Sequence, residues 1–379
     1  MIRVAIIASN YAAVSNTTQK GTEFLVHSIL TELARQLGPA SDVAPTVFAS
    51  KDSIVPFPLV SVDDGATMEN PALTNDDRKL FELTLVSKAF SQADQFDIYH
   101  IHISNGDFVL PFVKLIKKPV LITMYGFIPN EVGKQYFNLY KDLPNVKFVS
   151  VIDNQQCQMP LLPWAGTIPH GIDITKYSFN PVGGQHILWA GRAVKEKGAD
   201  VALDVVEQTH RPALFFPLLN PDTLDWFWQH VLDKKNQLGT KVDIAIRPDM
   251  KRYDLASYFN TAKLTLVPIS WEEPFGLVMT ESMACGTPIV AYAHGSTPDI
   301  IIDGKTGFLV NETEKNKRGD WIIKKTGIAG LVEAVEKIYA LPKSTYEDMR
   351  LSCRTDAEKR FSIEETVKKY IQLYRNLVI

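Results

Sequence analysis

The sequence predicts an α/β protein built from two doubly wound parallel sheets, one in each half of the chain, facing each other across a cleft. Three observations carry this. Short apolar, β-branched runs alternate with helical patterns from end to end, which makes parallel sheets covered on both faces. The runs fall into two series, separated by a polar stretch over 176–185 that contains Pro and Gly. A chain of 379 residues that is 45% hydrophobic is ample for two cores.

The first series places strands at 2–8, 46–50, 98–102, 120–124 and 147–152, a helix at 22–37, and a long surface loop at 63–77. In the second, strands fall at 186–190, 213–216, 242–246, 264–268, 289–292 and 308–310, with helices at 200–208, 254–262 and 277–285 between them. The final amphipathic run, 363–377, repeats Ile363, Val367, Tyr370, Ile371 and Tyr374 at helical spacing. The expected organisation is a first domain over 1–175, a second over 176–355 and a C-terminal helix within 356–379 that crosses back to the first. Open sheets of this kind bind ligands at the carboxyl ends of their strands, so the cleft is the expected site.

Composition excludes several classes. A net charge of −3 leaves no basic excess to neutralise a phosphate backbone, so nucleic acid is not an expected partner. Cys157, Cys285 and Cys353 are odd in number and far apart, which suits a reducing compartment and makes no Cys-x-x-Cys pair. Residues 1–8 are too short and too lightly charged for a signal peptide, and no run reaches the roughly 18 apolar residues of a spanning helix. The expected location is cytoplasmic, or peripheral at the inner face of a membrane.

The chemistry concentrates at 270–292. Glu273 lies in a loop after a strand, Pro274 and Gly276 mark the turn, and Glu281 follows on a short helix whose first N–H groups, from Phe275 to Val278, point at whatever sits between the two carboxylates. That pattern suits an anionic, hydroxyl-rich ligand. A second site follows strand 186–190, where Gly191 allows close backbone approach and Arg192 and Lys197 supply a fork of donors and a point charge before a helix.

Taken whole, Glu273-Pro-Phe-Gly-Leu277 with Glu281, continued through Gly295 to Asp303-Gly-Lys-Thr-Gly-Phe-Leu-Val310, resembles the donor signature of the retaining glycosyltransferases of family 4. Ser296 stands where a second glycine is common. The resemblance implies the GT-B fold, two Rossmann-like domains facing a cleft, and transfer of a hexosyl group from a UDP- or GDP-sugar to a hydroxyl acceptor with retention. It implies that Arg192 and Lys197 hold the diphosphate, that Glu281 accepts from the ribose hydroxyls, and that Glu273 with the N–H groups of Phe275, Gly276 and Leu277 positions the sugar. No metal or other cofactor is expected. Lys20-Gly21-Thr22-Glu23 stands where relatives carry a glycine-rich loop over the donor phosphates, so Gly21 and Thr22 are candidates, and Thr22 as a helix N-cap is an equal reading. Tyr125 occupies the place of a sugar-contacting histidine. His100 and His102 read as core or cleft-wall residues, Pro169-His-Gly-Ile-Asp173 as a hinge, and Arg247 as a weak candidate near the base. The basic insertion 315–325, with Trp321, reads as a solvated loop or hairpin; it and Lys114, Lys117 and Lys118 are candidates for an anionic acceptor or membrane surface. A nucleotide-sugar hydrolase or epimerase, or a catalytically silent donor-binding subunit, stay open as alternatives.

Overall fold

A computed structural model describes residues 1–38, 41–128 and 130–378. The chain divides into two compact units, Met1–Ile172 with Ser362–Ile379, and Asp173–Phe361. The first unit holds seven strands: β1 (Ile2–Ile7), β2 (Val43–Phe48), β3 (Leu59–Val60), β4 (Ile98–Ile101), β5 (Val120–Thr123), β6 (Val146–Ser150) and β7 (Trp164–Thr167). They run in the order β3-β2-β1-β4-β5-β6-β7, every pairing parallel. The second unit holds β8 (His186–Arg192), β9 (Ala213–Leu218), β10 (Ile244–Ile246), β11 (Ala262–Val267), β12 (Ile289–Tyr292) and β13 (Gly307–Val310). Their order is β10-β9-β8-β11-β12-β13, again all parallel. Each sheet is therefore doubly wound and Rossmann-like. The order reverses between β1 and β4 in the first unit and between β8 and β11 in the second, and those reversals open the crevices in which such sheets take ligands.

Four local expectations change. β3 is a two-residue edge strand and β7 carries Gly166 at φ +136° with a register shift against β6, so neither shows a run of β-formers. The stretch 63–77 is not all loop: the helix Asn75–Phe90 starts inside it, where the Thr74 hydroxyl accepts from Asp77 N–H and the Asp77 carboxylate accepts from Thr74 N–H. The helix Lys343–Arg360 runs on past 355, so the return to the first unit comes at Ser362. The stretch 176–185 is packed into the second unit rather than left as a linker. The fully buried Arg350 guanidinium holds it, donating to the carbonyls of Asn180 (2.6 Å), Ala262 (3.0 Å), Asn260 (3.0 Å) and Cys285 (3.2 Å). That geometry satisfies a buried cation through carbonyl dipoles instead of a carboxylate.

The helix Ile363–Leu377 belongs to the first unit and buries Val367, Tyr370, Ile371 and Tyr374 in the core that contains Val4, Ile29 and Leu33. Among the described residues no helix is long and apolar enough to cross a membrane.

Candidate functional site

In the second unit the loops after β8 and β11, the two strands flanking the order reversal, are bound to each other. Ser270 N–H donates to the Glu196 carbonyl (3.0 Å), and Trp189 Nε1 on β8 donates to the Lys197 carbonyl (3.0 Å), fixing the 195–197 turn onto its strand. Lys197 Nζ forms a salt bridge with Glu273 Oε2, and Trp271 Nε1 donates to the same oxygen (2.7 Å). The Trp271 ring faces both cations, with Lys197 Nζ 5.3 Å and Arg192 Cζ 5.7 Å from its centroid. Arg192, Lys197 and Glu273, chosen from sequence, thus stand together at the reversal point. Trp271 was not among the candidates; its signal was its place two residues before Glu273.

Arg192 is exposed, whereas Lys197 is partly and Glu273 largely covered. An exposed guanidinium beside a covered Lys–Glu pair can take an incoming anion without first leaving a buried carboxylate. At Gly191 a Cβ would meet Trp189 Cζ2 at 3.6 Å and Lys197 Cβ at 3.7 Å, which is ordinary contact, so the fold itself does not demand glycine there. Gly191→Ala should therefore keep the wild-type Tm within about 2 °C while weakening affinity for a nucleoside diphosphate, if a ligand approaches this backbone as the sequence pattern expects. Paired calorimetric melts and titrations check it; unchanged affinity removes Gly191 from the site.

The helix Leu277–Ala284 carries Glu281, whose side chain is 2% exposed and forms a salt bridge with Arg252 Nη1. Arg252 opens the helix Arg252–Thr261 and carried no motif, which is why sequence reading missed it. Burial, then the Glu281 charge, pushes the adjacent Tyr177 hydroxyl far above its usual range. Glu281 is thus already occupied by a cation, so a ribose would have to open that pair or reach its other oxygen. Phe275 was expected to contribute its backbone N–H, and its ring does not compete for that role. Its ring is 3% exposed and packs edge-on against Phe361 at 5.8 Å, so the side chain is core, and only its backbone is left to face a ligand. Gly276 precedes the helix at φ +77° and Leu277 begins it. Arg247, the weak candidate near the base, is exposed, hydrogen-bonds Tyr258 Oη and stacks over its ring at 5.1 Å.

The 270–276 loop is clamped from the turn after β12. Ser296 N–H donates to the Glu273 carbonyl (2.9 Å), Ser296 Oγ to the Phe275 carbonyl (2.7 Å), and Gly295 N–H to Glu272 Oε2 (2.8 Å). Gly295 has φ +54°, and a Cβ there would stand 2.3 Å from Glu273 N, so glycine is required for this approach. Ser296, by contrast, fits where relatives often carry glycine, because its hydroxyl is used. The 315–325 insertion is a loop that turns back on the site: Arg318 pairs with Glu272, and Trp321 Nε1 donates to Asn311 Oδ1 (3.2 Å).

Gly21, Thr22 and Tyr125 lie in the first unit. Gly21 opens the helix Gly21–Gln36 with open space around it, and Thr22 sits in the first turn while Lys20 is the N-cap, without a side-chain cap bond. Tyr125 Oη is 2.6 Å from His102 Nδ1, and its ring stacks on His170 at 5.0 Å. Its hydroxyl therefore already has an internal partner. His100 and His102 are buried in the core of this unit, and among the described residues no group of three or more His, Cys, Asp or Glu is arranged to hold a metal ion.

Comparison with known proteins places this architecture. Its fold is that of GT-B glycosyltransferases: sucrose-phosphate synthase from Thermosynechococcus elongatus superposes over 100% of this chain and 99% of its own with TM-score 0.76 at 18% identity. HepE from Anabaena, solved in complex with UDP and glucose, covers 100% of both chains with TM-score 0.72 at 14% identity. Residues 176–324 match the model of the family described as glycosyl transferases group 1. The D-inositol 3-phosphate glycosyltransferase of Paenarthrobacter aurescens is 32% identical over 199 residues, 51% of this chain and 44% of the relative. An uncharacterized 41.2 kDa protein in the cps region of Klebsiella pneumoniae is 27% identical over 191 residues, 50% of this chain and 46% of the relative. The matched segments therefore span less than half of these curated relatives' own length.

Proposed function

We propose that the protein is a retaining hexosyltransferase that uses a nucleoside-diphosphate sugar and a hydroxyl acceptor. The observation that supports this most is the meeting of Arg192, Lys197, Glu273 and Trp271 at the strand-order reversal of a unit whose residues 176–324 match the group 1 glycosyl transferases. When the bond between the anomeric carbon and the diphosphate breaks, its electron pair goes to the leaving oxygen. Arg192 and Lys197 would neutralise that charge. The acceptor oxygen then bonds the anomeric carbon on the same face, and its proton passes to a phosphate oxygen of the leaving group. Glu273 would hold the sugar in this reading and Glu281 the ribose.

Solved structures of similar fold hold UDP with glucose or UDP with GlcNAc, which makes UDP the first base to test, with GDP next. A thermal-shift panel of UDP-, GDP-, ADP- and dTDP-sugars should single out one base, because a ligand at 100 times its Kd stabilises the folded state by about 2.7 kcal/mol. No shift with any of the four sinks the proposal. Because protein cations meet the diphosphate, transfer should continue in excess EDTA; activity lost on chelation and restored by magnesium or manganese overturns that assignment. Peripheral membrane contact belongs to the same proposal. On the 3-10 helix Leu110–Leu115, Leu115 (78% exposed) and Phe112 stand outward beside Lys114, with Lys117 and Lys118 just after it. Leu115→Ser with Lys114→Ser should reduce sedimentation with anionic vesicles, and equal sedimentation rejects the contact.

A further inference from the structure

Three loops at the ligand edge of the second unit converge on one buried imidazole. His294, in the turn after β12, has a side chain only 5% exposed. Its Nε2 is 3.0 Å from Glu312 Oε2, just beyond β13, and its Nδ1 is 3.8 Å from Glu272 Oε1, in the loop after β11. The latter is an ion-pair distance rather than a hydrogen bond. Glu272 is fastened further by Gly295 N–H and by Arg318 from the basic insertion. Glu272 immediately precedes Glu273, and the backbone of the His294 turn touches Glu273 directly through Ser296.

We propose that His294 is a positioning residue: as an imidazolium between Glu272 and Glu312 it latches the 270–276 loop, so that Glu273 is presented to the donor only while that ring carries its proton. The importance of the loop rests on the proposed donor site; the latch itself does not. The charged groups facing the ring are Glu272 from the loop after β11, Glu312 after β13, and Arg318 from the insertion. The two carboxylates outweigh burial and the Arg318 charge, so the imidazole is held above its usual range, while His294 and Arg318 hold the Glu272 carboxyl down at about 2. The favourable arrangement is therefore complete below about pH 6.5 and is lost as pH rises through the raised value. A permanent cation on a solvent-exposed Glu would give no such window. The basic insertion gains a role in this picture, since Arg318 orients Glu272 toward the ring.

Hydrogen exchange of the amides at 271–278, corrected for the intrinsic rate, tests the latch without any ligand. In wild type, opening of this segment should increase at least about fivefold between pH 6.5 and 9. His294→Gln should be open and pH-independent throughout, and Glu312→Gln, which leaves the buried ring in place, should move the wild-type transition to lower pH. A corrected exchange profile that is flat in wild type, or the same in wild type and Glu312→Gln, overturns the latch. In parallel, UDP and GDP are titrated and donor KM is followed across the same pH range. A wild-type alkaline rise in KM that is absent in His294→Gln links the latch to the donor. If neither nucleotide binds while exchange behaves as expected, the donor assignment fails and the latch stands.

Discussion

Arg192→Ala should lower kcat by about 10²–10³ while leaving stability unchanged, by analogy with removing one preorganised donor from an anion site. The guanidinium is exposed and its resolved partner is the Trp271 face, so its removal strands nothing buried. Lys197→Ala should lower kcat by a similar factor but also lower Tm, because Glu273 would keep only Trp271 Nε1 for a carboxylate that is 7% exposed. Lys197→Ala with Glu273→Gln should recover part of that stability and none of the activity. The two alanine changes together should fall short of the product of their separate effects, since both groups would meet one leaving diphosphate. Steady-state kinetics and melting curves of the four variants decide it. If kcat stays within about threefold of wild type in both single variants, residues 191–198 are a solvated turn and the proposed charge-stabilising role is lost.

What was legible in the sequence follows from which forces are local. The interior strands β1, β4, β8 and β12 are covered on both faces, so their apolar runs stand out against polar neighbours. β3 and β7 are edges whose pairing is set by β2 and β6, and nothing in Leu59–Val60 or Trp164–Thr167 announces it. Arg192, Lys197 and Glu273 were readable because each stands at a fixed offset from a turn, the placement that the proposed contacts to a diphosphate and a sugar would need. Arg252 and His294 were not, since each acts on a neighbour brought close by the fold: Arg252 on Glu281, 29 residues away, and His294 on Glu312 and Glu272, 18 and 22 positions away; Trp271 offered only its place two residues before Glu273. The basic run 315–325 is a loop, as its composition suggested, but the pairing of one of its cations, Arg318, with Glu272 could not be read from the run itself.

Mild acid should destabilise the first unit. His100 Nδ1 lies 2.7 Å from Tyr374 Oη and its Nε2 lies 2.8 Å from Thr123 Oγ1, which in turn is 3.1 Å from Tyr370 Oη, so the C-terminal helix is docked on a neutral imidazole. His102 Nε2 is 3.2 Å from His100 Nδ1, and two protonated rings cannot share that contact. Burial, then the neighbouring histidine, drives His100 well below its usual range and His102 to about 3, and burial holds His170 at about 3. These folded values lie below the unfolded one near 6.5, so the unfolded chain binds protons first and stability falls as pH drops from about 6.5 toward 3. Down to pH 4.5, His102 and His170 each cost about 2.7 kcal/mol, and His100 adds to the loss. Glu82 works the other way. It accepts from Ser9 Oγ and Asn10 N–H, both at 2.9 Å, but burial raises its carboxyl to about 7, so it binds its proton in the folded state and returns about 3 kcal/mol down to pH 4.5. Two histidines together outweigh Glu82; the raised carboxyls of Glu23 and Asp107 act with Glu82, and the lowered His100 and His27 act with the histidines. Urea unfolding of the first unit should therefore show lower stability at pH 4.5 than at 6.5, with the helix Ile363–Leu377 becoming protease-sensitive in the same range. Glu82→Gln should make the loss steeper by removing the opposing contribution. Imidazole proton resonances from His100, His102 and His170 should stay unprotonated from pH 8 to 5 in the folded protein. Titration of two of them near pH 6.5, or equal stability at the two pH values, would show that the buried rings do not set the acid limit.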